Sequence, residues 1–175
     1  FGTGKYFETG DSTDLSEQSI YGVRDECGIQ TSGAGCSSIS SATKVSRSNL
    51  LVQTIDYEGP QSFNGNSWEI RLFSQNQGTG NEKGFLVDLV PPSNVAEGER
   101  VLAEPIIWRD RVIFVTAIPD PDVCDGDGDS WIIELQPYTG ARTEFSVFDL
   151  ARDNTYGTSS EYNGNVVSGR KISGG

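Results

Sequence analysis

The sequence contains no histidine and no methionine. Without histidine there is no Ser-His-Asp triad, no Cys-His pair and no imidazole zinc site. Basic residues are scarce: 13 Lys and Arg stand against 25 Asp and Glu, for a net charge of −12. With a pI near 4.3 and no basic run, the chain is a poor partner for nucleic acid, whose binding draws on Lys and Arg at phosphates. No apolar run approaches the ~20 residues that span a bilayer. Helical patterning is also missing, since no stretch carries a convincing apolar i, i+3, i+4, i+7 stripe. There is no signal peptide to read. A chain that opens on Phe1 without a methionine is expected to be a processed or excised piece, or the ordered part, of a longer protein.

Short strand-forming runs are what the sequence does contain. Leu50 to Tyr57 is rich in strand formers, and Trp68 to Leu72 alternates apolar and charged residues with period two. Phe85 to Leu89, Val101 to Trp108, Val112 to Ile118, Trp131 to Leu135 and Thr143 to Leu150 complete the set. Arg109-Asp110-Arg111 reads as a tight charged turn. Clusters of Gly, Pro, Asn and Asp separate the runs, which predicts an all-β architecture. The pattern S-W-x-I-x-L occurs at Ser67 and again at Ser130. Self-similarity at a spacing of tens of residues, with Trp in the repeated strand, points to antiparallel four-stranded blades of a β-propeller. The segments from Cys27 to Ser48 and from Asp153 to Gly175 are polar and weakly patterned. The second is expected to be a loop-rich tail or edge structure.

One cluster stands out chemically. Asp120, Asp122, Asp125, Asp127 and Asp129 crowd into a single stretch with Gly126 and Gly128 between them. Such a density repels itself at neutral pH unless a cation neutralises it. Ca²⁺ takes six to eight oxygen ligands, and D-x-D-x-D supplies carboxylates on alternate residues of a curled loop. The match to an EF-hand is incomplete. With Asp125 at position 1, Ser130 falls on the glycine position and Gln136 where a bidentate Glu belongs, and the strand-like Trp131 to Leu135 replaces the exiting helix. The plainer reading is a solvated acidic turn in which each Asp serves turn formation.

Cys27 and Cys36 bracket a Gly/Ser-rich loop, and Cys124 is the odd one. A disulfide across that loop fits an extracytoplasmic protein, but three cysteines allow three single pairings, or none in a reducing compartment. Glu69, Asp88, Glu104 and Glu134 lie in strand patterns and read as solvent-facing, so no pair stands out as a hydrolase dyad. Trp68, Trp108 and Trp131 read first as sheet core.

The opening Phe1-Gly2-Thr3-Gly4-Lys5-Tyr6-Phe7-Glu8, followed by Asp11, Gln18 and Ile20-Tyr21-Gly22-Val23-Arg24-Asp25, resembles a signature of the PilY1/PilC family of type IV pilus tip-associated proteins. Arg47 to Ile55 is similar to the family's R-x-x-L-x-x-Q strand, and Lys83 to Leu89 to its G-W-Y-L-D-L. Gly98-Glu99-Arg100-Val101 with Pro105 looks like its G-E-R-V…P. Phe114 to Thr116 with Pro119, Asp122 and Cys124 resembles its F-x-T-x-x-P-x-x-D-x-C. Ser130-Trp131 to Leu135 with Thr139-Gly140 completes the series. The chain departs at Arg24, where the family usually has Trp, in the Cys27 to Ser41 insert, and at Asp125 to Asp129.

The resemblance implies that residues 1–175 are part of a C-terminal propeller, about three blades at ~40–60 residues each. It also implies a role in pilus biogenesis and adhesion by binding, with Ca²⁺ as a modulator. Minor pilins and a host or abiotic surface would be the partners, met outside the cell or at the pilus tip. Two other readings predict different features. A structural filament component predicts strand pairing between chains. A secreted polysaccharide-acting β-protein predicts a cleft with paired carboxylates and exposed aromatics.

Overall fold

The computed structural model describes residues 1–24, 44–120 and 128–172. Twelve strands carry the fold among these residues: β1 Ser19–Val23, β2 Leu51–Gln53, β3 Ile55–Phe63, β4 Asn66–Phe73, β5 Gly84–Asp88, β6 Arg100–Val101, β7 Ile106–Trp108, β8 Arg111–Ala117, β9 Ser130–Leu135, β10 Glu161–Tyr162, β11 Asn165–Val166 and β12 Gly169–Ile172. They form a three-stranded sheet in the order β1-β5-β2, a two-stranded β10-β11 hairpin, and a seven-stranded sheet in the order β3-β4-β12-β9-β8-β6 with β7 also on β8. All pairs are antiparallel except β2 with β5. The expected all-β class of antiparallel sheets holds.

Two apolar clusters follow from the period-two alternation. The first lies between the sheets, where Ile20, Phe85 and Val87 meet Val112, Phe114, Trp131, Ile133 and Leu135. The second covers the opposite face of the large sheet around Phe63, Ile70, Leu72, Leu150 and Val167.

The two S-W-x-I-x-L strands, β4 and β9, both pair antiparallel with β12. Arg170 stands level with Ile70 on one side and Ile132 on the other. That register is offset by one residue from the sequence repeat. Trp131, Ile133 and Leu135 therefore face the first cluster, while Trp68, Ile70 and Leu72 face the second. A one-residue offset reverses every side chain of a strand.

Four expectations change in detail. Leu50 to Tyr57 is two strands, because the chain passes from one sheet to the other at Thr54. The buried Gln53 side chain pins that corner: it donates to Asn76 O and Thr139 O and accepts from Ser74 Oγ and Asn76 N. Val101 to Trp108 is broken into β6 and β7 around Pro105, which has no N–H for a ladder. Thr143 to Leu150 forms no strand. Thr143 Oγ1 donates to Phe145 O, and Ser146 Oγ donates to Phe148 O, at 2.9 and 3.1 Å. Such local bonds compete with pairing, yet Val147 and Leu150 are still buried. The expected tail instead supplies β10, β11 and the central strand β12. Its hairpin turns on Asn163-Gly164, with φ of 51° and 71°, the two positive angles that a type I′ turn needs and that Asn-Gly supplies.

Candidate functional site

Several residues that carry the family resemblance are scaffold. Arg47 donates to both oxygens of Asp88, at 2.9 and 2.7 Å, and to the Tyr21 hydroxyl at 2.6 Å. Asp11 accepts from the Phe7 and Glu8 N–H groups at 2.7 and 2.8 Å, and these bonds hold its carboxyl below the usual range. Buried Arg100 donates to the carbonyls of Gly98, Lys5 and Asp14 and so fixes the opening loop. Glu99 pairs with Arg71 under the large sheet.

The acidic stretch joins β8 to β9. Asp129 sits at the base of that connection, where its carbonyl accepts Ile118 N at 2.8 Å and its carboxylate lies 2.6 Å from Lys171 Nζ of β12. Asp120 is half-buried and has a partner. Asp122, Asp125 and Asp127 lie outside the described residues, as do Cys27, Cys36 and Cys124. Glu134 is corrected: it is buried rather than solvent-facing, with Arg111 Nε 2.9 Å away. Burial raises its pKa, partly offset by that arginine. Asp88 is held by Arg47, and Glu104 is exposed. Of the three tryptophans only Trp131 is core; Trp68 is half-buried and Trp108 is exposed.

What the fold assembles, and strand patterning did not reveal, is a cleft of about 710 Å³, within the size range of ligand pockets. Phe1, Tyr21, Phe85, Ile107, Phe114 and Tyr138 are among its walls. It lies in line with residues 1–3, which already behave as a strand. Phe1 and Tyr21 exchange two backbone hydrogen bonds of 2.8 Å, and Val101 N donates to Thr3 O at 3.0 Å. Beyond Phe1, one wall of the cleft is Gly22 and Val23 of β1 and the other includes Ile107 of β7. Among the described residues no strand lies beside Val23 on that side or beyond β7. Ile106, Ile107 and Trp108 are 60, 74 and 55% exposed and form an uncharged edge. The opposite edge of the large sheet, β3, carries Asp56, Glu58 and Pro60, residues that discourage strand addition. A signal for the open edge was present in the sequence: three large apolar residues with no alternation, next to a turn.

Glu82 and Asp110 also line the cleft. Glu82 accepts from the Thr79 and Gly80 N–H groups and the Thr79 hydroxyl, at 2.9 to 3.0 Å, and the Thr79 amide leads in pushing its pKa down to about 2. A carboxyl so acidic holds no proton to donate at neutral pH, which removes it as a general acid.

No family model matches the chain. Among characterised proteins it is 34% identical over 99% of its length to the type IV pilus biogenesis factor PilY1 of Pseudomonas aeruginosa strain PAO1. It is 36% identical over 95% of its length to PilY1 of strain UCBPP-PA14, and 31% over 99% to a PilY1 homolog of Xylella fastidiosa. It spans only 13 to 16% of the length of these relatives. The crystal structure of the P. aeruginosa PilY1 C-terminal domain matches 99% of the chain at a TM-score of 0.82 and 33% identity, and the chain covers 35% of that structure. Sequence and fold thus agree from end to end, and the chain belongs to the PilY1/PilC family as a β-propeller-like homologue of part of the PilY1 C-terminal domain.

Proposed function

We propose that the chain is a binding element of a type IV pilus tip-associated protein, engaging pilus subunits and a host or abiotic surface without bond chemistry. The similarity over 99% of its length to a protein named for pilus biogenesis carries this reading. In the longer protein it contributes about three propeller blades, outside the cell or at the pilus tip. The cleft supports a mode of binding. An extended segment of a pilus subunit lying between β1 and β7 would pair its backbone with free edges and place alternate side chains against Phe85 and Phe114.

The same open edges favour a second reading, in which chains add strands to one another in a filament. A charge of −12 on every copy opposes that stacking. A polysaccharide hydrolase finds no proton donor in Glu82.

The test is a chimera. A piliated Pseudomonas whose PilY1 carries this chain in place of its matching segment is expected to keep surface pili and adhesion. Loss of both, with the chimera exported and intact, would sink the reading.

Ca²⁺ in the β8–β9 connection belongs to the same proposal. Asp120, Asp122, Asp125, Asp127 and Asp129 would be the oxygen donors, and Lys171, 2.6 Å from Asp129, would compete with the ion there. Binding to the ordered loop alone would stabilise it by mass action. Calorimetric titration is expected to show saturable heat that Asp125→Asn with Asp127→Asn removes. No heat from the intact chain would dismiss the ion and leave the pilus role standing.

A further inference from the structure

Two arginines lie over the Trp68 ring. The guanidinium carbons of Arg152 and Arg170 are 4.9 and 4.8 Å from its ring centroid. The two cations are therefore no more than about 10 Å apart, where like charges repel. On a chain with 25 acidic residues, neither makes an ion pair or a side-chain hydrogen bond among the described residues, and Arg170 Nε is shielded from water without an acceptor.

The loop is built to hold Arg152 in place. Trp68 Nε1 donates to Leu150 O at 2.8 Å and Asn66 Nδ2 to Ala151 O at 3.1 Å. Ser160 Oγ accepts from Leu150 N and Ala151 N at 2.8 and 3.2 Å. On the other side the Asp149 carboxylate accepts from Asp153 N and Asn154 N at 3.1 and 3.0 Å. Between these anchors Arg152 has φ 55°, a left-handed conformation suited to Gly or Asn. None of the anchors uses the Arg152 side chain. The position is held by bonds to neighbouring backbone alone, and it leaves the Arg152 side chain exposed beside Trp68.

We propose that Arg152 and Arg170 form a binding site for a dianionic oxyanion, phosphate or sulfate, beside Trp68. Each guanidinium offers a planar fork of N–H donors that matches an oxyanion. Contact with the indole face leaves those in-plane donors free. A dianion neutralises both charges, whereas a single carboxylate leaves one. The group can arrive as a free ion or as a phosphate monoester on a polymer, since a sulfate ester carries only one charge. The site rests on this face alone and is independent of the pilus role.

The chain has three tryptophans, so Trp68→Phe identifies the Trp68 indole N–H signal in a ¹⁵N spectrum. Titration with inorganic phosphate or sulfate is expected to shift that signal saturably, while sodium chloride at matched ionic strength does not. Arg152→Gly removes the cation and relieves the left-handed strain. It is expected to bind about tenfold more weakly or worse while resisting urea at least as well as the parent, and Arg170→Gln to show the same loss of binding. Tighter binding of a dextran bearing phosphate monoesters than of free phosphate, with neutral dextran inert, assigns the polymer as source; equal or weaker binding assigns the free ion. The site is overturned by no saturable shift with either ion, by an equal shift in chloride, or by Arg152→Gly binding like the parent. Loss of the fold in Arg152→Gly overturns it too, by making Arg152 a packing residue.

Discussion

The Arg71 guanidinium and the Glu99 carboxylate meet at two points: Nη1 donates to Oε1 at 2.8 Å, and Nη2 lies 2.7 Å from Oε2. Both side chains are out of solvent. Arg71 Nε also donates to Glu58 at 2.7 Å, and its guanidinium sits 3.9 Å over the Trp131 ring. Removing one partner of a buried pair strands a charge at a cost of about 3–5 kcal/mol. Glu99→Ala is therefore expected to lose a large share of the stability measured by urea denaturation. Arg71→Met with Glu99→Leu should recover most of it. A single substitution as mild as a surface change would remove this network from the account of stability.

Gly169 stands opposite Arg71 on β12. A Cβ there would approach Arg71 Cβ to 2.9 Å, with little room to yield between β4 and β9. Gly169→Ala should cost about 1–3 kcal/mol by overpacking and lower the amide-exchange protection of β12. Unchanged protection would mean that Arg71 can move aside.

Arg109 occupies the β7–β8 turn at φ 56°. Its ring contact with Trp108 is long, 5.9 Å to the centroid, so little opposes replacement. Arg109→Gly should stabilise the chain by about 0.5–1 kcal/mol, read as a higher Tm. A lower Tm would assign the side chain a structural role.

Glu82 sets an acid limit. Its folded pKa of about 2 lies below the ordinary 4.5, so its contribution is present above pH 4.5 and is lost as pH falls towards 2. Glu82→Gln should flatten Tm against pH across that window. Glu134 acts in the opposite sense. Burial raises its pKa, so its ionisation removes stability as pH rises above 4.5, and Glu134→Gln should blunt that loss. Parallel curves for parent and variant would contradict the respective assignment.

Ile107 is 74% exposed on the β7 edge. Ile107→Lys should leave stability within about 0.5 kcal/mol and weaken capture of pilus subunits, because a lysine on an edge strand blocks strand addition. Undiminished capture in a pull-down would place the contact elsewhere.

Strands β4, β8 and β9 were legible from apolar alternation, and β5, with Phe85, Leu86 and Val87 all buried, from its run of strand formers. β12 was not. Its Arg170 and Lys171 look like solvent residues, yet they occupy a central strand with Trp68 and Trp131 near their charges, at 4.8 and 5.9 Å. Asn163-Gly164 was a readable hairpin signal in a segment otherwise without pattern. The acidic stretch was obvious in sequence, whereas the cleft was invisible there because its walls come from β1, β5, β7 and β8.

The sequence by itself determined the β class, most of the strands, the family signature and the chemistry that 175 residues without histidine forgo. Those are local properties, set by alternation, turn residues and side-chain type. Only the tertiary structure decided which strand lies beside which, and with it the opposite faces of the two tryptophan strands, the Arg71–Glu99 pair, the cleft and the two arginines over Trp68. Such features depend on register between distant segments. One residue of register exchanges core for surface, and no local pattern records it.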